Sequence, residues 1–415
     1  MSSHTGSVIR GSGASVPCDP GSGIPPRSCE ERRMRTLPRF RPLGGPSGLL
    51  VVTGLLLAAC GGAPTQTADD GARATDTGGE AAEAAVEGSV QEVLGQVEGL
   101  EGQERLDRLV ELAEEASGTV SLYTVLTNQS VEAFKAAFEA DTGLTLEVYR
   151  ASSEPIQQRI LQESASGNSG ADVVETVGPD MIAFSREGVL VPYDTPLRDE
   201  LVEEALYEDW TVPRFAVFAP GWNTDLVTEP PASWEDLADP RFDGLMAVEA
   251  TAGDWYMALS QHWQEEGRSE EEIQQLWHDI ATGAAFISGH STIRELLVSG
   301  EYGLTAVIHT YMIPEVAQQG APVDGEPYPR PVFVRPNGIG LLEGPNPAGG
   351  MAFTDWLLSH AGQQVYVDEL HTPAHQDLFA LEDYFAIDVE AFVDEVERWR
   401  TEYEQLARRG DRGDG

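Results

Sequence analysis

Apolar residues recur along this chain with two different periods, and the two take turns. "TVSLYTVL" (119–126) is a short continuous apolar run of the kind that forms a buried strand. Ser130 stands where a helix cap belongs, Val131, Phe134 and Phe138 share one helical face, and Gly143 is placed to end that helix. "LTLEVY" (144–149) alternates as a strand, "SSEPIQQRILQES" (152–164) opens a helix on a serine cap, and "ADVVET" (171–176) is another buried strand. The rhythm returns with strands at "FAVFAP" (215–220), "LMAVEA" (245–250), "AAFIS" (284–288) and "YGLTAVIH" (302–309). Helices are predicted over 254–265, 270–280 and 291–299, the last with a Thr292-x-x-Glu295 capping box. "PVFVRPNGIGLL" is extended, and "PAGGMAFTDWLLS" and "AFVDEVERWRTEYEQLA" are amphipathic helices. Strand–helix alternation of this kind predicts an α/β protein with a mainly parallel sheet.

Ahead of this region the pattern differs. Leu106, Leu109, Val110 and Ala113 lie at helical spacing within 104–116, whereas residues 61–90 are Ala, Gly, Thr and acid with no large apolar residue. Residues 60–103 are therefore expected to be a disordered tether. The apolar run Leu49–Ala59 is too short to span a bilayer but suits the core of a secretory signal, and Arg32, Arg33, Arg35, Arg39 and Arg41 precede it. Leu57-Ala58-Ala59-Cys60 resembles the lipobox of bacterial lipoproteins. That resemblance implies a signal peptide over 34–59, cleavage before Cys60, and a lipid anchor on its sulfur. Residues 1–33 are expected to be a non-native or dispensable extension. Cys18 and Cys29 are the only other cysteines, so no disulfide is expected after cleavage.

A formal net charge of −43, with Lys135 as the only lysine, argues against binding nucleic acid or anionic lipid head groups. The acids are spread along the chain, so the charge marks solubility and no particular site.

The order of phrases is informative beyond periodicity. "GTVSLYTVLTNQSVEAFKAAFEADTGLTLEV", "SGADVVET", "REGVLVPYDTP", "GWNTDLVTEPPASWEDLADPRFDG", "SGEYGLTAV" and "GPNPAGGMAFTDWLLSHAGQQVY" follow one another over residues 104–410. In this order they resemble the extracytoplasmic solute-binding proteins of ABC importers, in the ferric-iron and thiamine-binding branch. The resemblance implies a two-lobed periplasmic-binding-protein fold of type 2, with crossing hinge strands and ligand held between the lobes. Lobe one is expected over 104–214 plus about 338–370, lobe two with the hinges over 215–337, and C-terminal helices with a tail over 371–415. It further implies a monomeric binding protein and not an enzyme, working with a permease and an ATPase. No cofactor is implied beyond a ferric ion carried as cargo.

Strand-end loops supply the candidate ligand contacts. In the first lobe these are Tyr123, Thr124, Thr127, Asn128, Ser152, Ser153 and Glu175-Thr176. In the second they are Glu249, Asp254, Trp255, His290, Ser291, His309 and Tyr311. Ser152 and Ser153 open a helix where an anion is favoured, although a serine there serves equally as a cap. For Trp255, core packing is slightly favoured over stacking on a ligand. Iron-binding relatives carry adjacent tyrosines where this chain reads "HTYMI", so Thr310 replaces one phenolate, and no histidine follows the first strand. Tyr311 and Glu175 with an exogenous anion are the ferric candidates. Thiamine or a polyamine would instead use Glu249, Asp254, Trp255 and Trp222, and a phosphonate the serine-bearing helix starts.

Two other functions share parts of this sequence pattern. A surface hydrolase has weak support: "GHSTI" lacks the second glycine of a nucleophile elbow, and Pro373 interrupts the histidines of "HTPAH". A binding lipoprotein that feeds no transporter has the same sequence signature as the importer component.

Overall fold

A computed structural model describes residues 89–410. The extension, the signal peptide, Cys60 and most of the expected tether lie outside the described residues. The tether is shorter than expected, because its last part is folded. Ser89 caps α1 (Val90–Gln96), accepting from the Glu92 amide, and α2 (Gly102–Ala116) follows. Val90, Val93 and Val97 are buried against the protein. Three valines at helical spacing give α1 one apolar face, which an otherwise acidic, glycine-containing stretch conceals.

The first lobe alternates β1 (Thr119–Thr124), α3 (Asn128–Thr142), β2 (Thr145–Arg150), α4 (Ser153–Ala165), β3 (Val173–Val177) and α5 (Gly178–Arg186). β4 (Thr211–Asn223) is buried at every position. The second lobe continues with β5 (Met246–Glu249), α6 (Gly253–Glu265), α7 (Glu270–Thr282), β6 (Ala284–Ile287), α8 (His290–Ser299), β7 (Leu304–His309), α9 (Met312–Ala317) and the short β8 (Val323–Asp324). β9 (Val332–Leu341) returns toward the first lobe. It is followed by α10 (Pro347–Leu358), α11 (His360–Asp368), β10 (Thr372–Pro373), β11 (Tyr384–Ala386), α12 (Val389–Asp394) and α13 (Val396–Gly410).

One sheet runs through the molecule in the order β2-β1-β3-β9-β4-β7-β5-β6. β1 pairs in parallel with β2 and β3, and β5 pairs in parallel with β6 and β7. The antiparallel β4–β9 pair joins these two parallel halves. It contains both of the stretches, "FAVFAP" and "PVFVRPNGIGLL", that the sequence marked as extended and apolar.

Local details depart from expectation. Thr127, not Ser130, caps α3, because its hydroxyl accepts from the Ser130 amide. α8 starts at His290 behind Gly289 (φ +95°), a backbone setting that favours glycine, so Thr292 and Glu295 form no capping box. A complete box stands instead at Ser269 and Glu272 on α7. The region after residue 371 is not purely helical: β10 pairs with β4 and β11 with β9 before the last two helices. Those helices bridge the lobes, since α12 packs on α5 and α13 packs on α6 and α7.

The core of the first lobe gathers Phe134, Phe138, Phe353, Trp356 and Tyr366 in edge-to-face and tilted contacts. Trp234, Trp255, Trp263 and Trp277 do the same in the second. Among the described residues no helix is long and apolar enough to cross a membrane.

Candidate functional site

Strand register brings together a polar band on one face of an otherwise apolar sheet. Residues directly opposite share a face, and Arg214 lies opposite Asn337, Ala216 opposite Arg335, Phe218 opposite both Phe333 and His309, and Thr124 opposite Glu175. Glu175 is buried and fully engaged. Its Oε1 accepts from Arg214 Nε at 3.0 Å and Nη2 at 2.9 Å, and its Oε2 accepts from Thr124 Oγ1 at 2.6 Å. Arg335 lies over the Phe218 ring, 5.0 Å from its centre, while its Nη1 donates to Asp254 at 2.8 Å. That bond ties a crossing strand to the first turn of α6.

Next to this band four rings form a column. His290 and His309 are 4.4 Å apart, His309 stacks on Tyr311 at 5.6 Å, and Tyr311 meets His371 at 4.3 Å. His371 Nε2 lies 3.2 Å from Ser130 Oγ at the start of α3, so the column reaches from the second lobe to the first. Burial pushes His290 down to about 4, and it holds His309 and His371 well below the ordinary imidazole range, with Arg214 or Arg335 nearby adding to the effect. All three are neutral at pH 7. Burial likewise raises the Tyr311 phenol, so its phenolate is disfavoured.

Five buried polar atoms in this region have no hydrogen-bond partner: Arg335 Nε, His290 Nδ1, His309 Nδ1, Asn337 Oδ1 and, beside His371, Tyr366 Oη. Buried polar groups are nearly always paired, and each unpaired one is costly. Such a cluster, at the junction of the two lobes, makes this region the candidate site.

The predicted residues divide accordingly. His290, His309, Tyr311, Asp254 and Glu175 meet at the junction. Glu249 is adjacent but occupied, accepting from the Thr251 amide and hydroxyl and from the Gly289 amide. It organises the loops after β5 and β6. Trp255 is a core residue, wholly buried between Trp234 and Trp277. Trp222 is likewise buried, on β4 opposite Asp324. Tyr123 donates to Glu163 at 3.0 Å and receives Arg159 over its ring, so it joins β1 to α4. Asn128, Ser152 and Ser291 are exposed. Ser152 stands at the α4 N-cap without a side-chain bond, and the Ser153 hydroxyl bonds Asp180. Tyr311 also walls two cavities: one of about 340 Å³ with Ser130 and Glu369, and one of about 450 Å³ with His371 and Tyr328.

Sequence reasoning missed Arg214, Arg335, Asn337, Asp180 and His371. A signal was present for two of them: Arg335 and Asn337 interrupt "PVFVRPNGIGLL" two residues apart, and so share a face.

The model for the bacterial extracellular solute-binding proteins matches residues 133–374, more than half of the chain. The chain belongs to that family. This solute-binding protein also shares its two-lobed fold with solved structures. AfuA from Actinobacillus pleuropneumoniae, with exogenous fructose-6-phosphate bound, is 19% identical with a TM-score of 0.61, covering 70% of this chain and 99% of that one. Iron-bound HitA from Pseudomonas aeruginosa is 18% identical with a TM-score of 0.55, covering 70% and 98%. The apo ferric ion-binding protein A of Pasteurella haemolytica is 15% identical with a TM-score of 0.59, covering 70% and 98%. At these identities the likeness concerns the fold. A comparison with curated proteins finds no match. As a member of its family the protein is an extracellular solute-binding protein, a binding protein and not an enzyme.

Proposed function

We propose that this solute-binding protein is anchored by a lipid on Cys60, closes its lobes over one small solute at the β4–β9 junction, and delivers it to its permease. The cluster of unpartnered polar atoms on β7, α8 and β9 carries this reading. Closure between open α/β sheet edges removes such groups from water and strengthens each contact to the ligand.

The site bears on which solute it is. A ferric ion needs several hard anionic donors. Glu175 is neutralised by Arg214, the Tyr311 phenol resists ionisation, and among the described residues no three His, Cys, Asp or Glu are grouped to hold a metal. Tyr311 and Glu175 therefore make a poor ferric pair. An organic cation such as thiamine or a polyamine fares little better, because Glu249 and Asp254 already accept from internal donors and Trp255 is inside the core.

Mass spectrometry of material released from the purified full chain tests the binding role. A stoichiometric small molecule is expected; a chain that carries none and binds none of a broad solute library would overturn it. Palmitate labelling that Cys60→Ser abolishes is the expected result for the anchor, and label retained by the variant would remove it.

A further inference from the structure

We infer that the solute is an organic oxyanion, a phosphate ester or a carboxylate, held by Arg335 and the His290–His309 pair, with Asn337 accepting from a hydroxyl or amine of the same molecule. The inference rests on the solute-binding reading above and specifies the chemistry of that site. It follows from asking which hydrogen-bonding capacity the protein itself leaves unused. Each carboxylate at the junction is already engaged: Glu175 by Arg214 and Thr124, Asp254 by Arg335 and the Trp255 amide, Glu249 by Thr251 and Gly289, and Asp180 by Thr176. Unused acceptors for a cation are therefore scarce. What remains is chiefly donor capacity.

Arg335 Nε can only donate. Each neutral histidine carries one ring N–H, and the unpartnered Nδ1 of either ring can be the nitrogen that holds it. Three donors, all packed about the Phe218 ring, are thus left for one anionic group. They are preset, since Asp254 holds the guanidinium against Phe218 and the two imidazoles pack on each other and on Phe218. His290 is also the first residue of the ten-residue α8, whose N-terminus has no side-chain cap. Backbone N–H groups there, and the positive end of the helix, add to the same field. Asn337 Oδ1 is the exception, an acceptor that a bare anion would not satisfy. It selects a solute that also carries a donor.

The test uses the purified full chain, stripped of bound solute by unfolding and refolding. Calorimetric titration compares inorganic phosphate, glycerol 3-phosphate, fructose 6-phosphate and citrate with spermidine, thiamine and ferric chloride. Binding by at least one hydroxylated oxyanion is expected, weaker or absent for inorganic phosphate. The esters and citrate distinguish phosphate from carboxylate recognition. Arg335→Gln should weaken that binding at least thirtyfold, and His309→Phe and Asn337→Ala about tenfold each. Circular dichroism checks each variant, and if Arg335→Gln fails to fold, the histidine and asparagine variants decide. Because the chain is strongly acidic, added salt should speed oxyanion association and would slow that of a cation. Binding of spermidine, thiamine or ferric ion in preference to every oxyanion overturns the inference and leaves the solute-binding function standing. Binding of none of the probes overturns the inference, and it overturns the function as well if the chain also failed to yield a copurified solute.

Discussion

Arg214 on β4 and Glu175 on β3 form a two-point ion pair, at 2.9 and 3.0 Å, buried where the first parallel half of the sheet meets the crossing strands. Neither side chain reaches solvent to any extent, so each depends on the other for its charge to be tolerated. Glu175→Gln should therefore destabilise the protein by about 3–5 kcal/mol, since it leaves a buried guanidinium uncompensated. Glu175→Leu combined with Arg214→Met should recover most of that loss. Urea unfolding of the single and double variants measures both; a single variant as stable as the parent would show the pair to be dispensable.

Asp180 on α5 should make stability fall as the solution becomes neutral. Burial raises its carboxyl from 3.8 to about 6, against opposing help from Thr176, Ser153 and Arg335. The folded state thus binds this proton more tightly than the unfolded chain does. Its contribution is full below the unfolded value of 3.8 and is lost as pH rises through about 6. Asp180→Asn should gain about 1–2 kcal/mol near pH 7.5 and nothing near pH 4, a difference smaller than the full shift because Asn accepts less well from the two hydroxyls. Thermal melts of both proteins across that range check the sign.

The N-terminal helices should be integral to the first lobe. Arg105 on α2 donates to Asp355 on α10 at 2.8 Å and to the Tyr193 hydroxyl at 3.0 Å, and Tyr193 donates to Asp355 at 2.7 Å, all buried. A chain beginning at Ser89 should melt like the parent. One beginning at Gly118 should lose at least about 3 kcal/mol, because the buried Leu109, Leu112 and Ala113 no longer cover α10 and Asp355 loses its countercharge. Equal melting of the two would place α1 and α2 outside the cooperative unit.

Trp255 separates packing from binding. Trp255→Ala should cost about 3–5 kcal/mol through the cavity it leaves between Trp234 and Trp277. Affinity for the copurified solute, measured well below the melting range, should change less than threefold. A large loss of affinity with unchanged stability would return Trp255 to the ligand contacts.

The alternation of strands and helices was legible because it is local. Each strand run and each helical face repeats within a dozen residues, and burial of one face acts on that spacing whatever the distant partner is. The ordered phrases carried the family resemblance for the same reason, and the matched family model and the two-lobed fold agree with it. His290, His309 and Tyr311 were reachable because each stands at or just beyond the end of a strand. The folded end of the tether was missed where three valines were too few to stand out from acidic sequence.

Which charges neutralise each other is a different kind of fact. Glu175 read as a free carboxylate until β3 was set beside β9 and β4, which brought Arg214 onto it from 39 residues away. Arg335 and Asp254, 81 residues apart, meet only because β9 crosses back under the start of α6. Trp255 follows a strand just as His290 does, yet it turns into the core. The amino-acid sequence determined the elements, their order and the family, since these depend on spacing along the chain. Only the tertiary structure decided which polar groups are already satisfied and which still lack a partner, because hydrogen bonds and ion pairs form over about 3 Å through space, with no regard to separation along the chain.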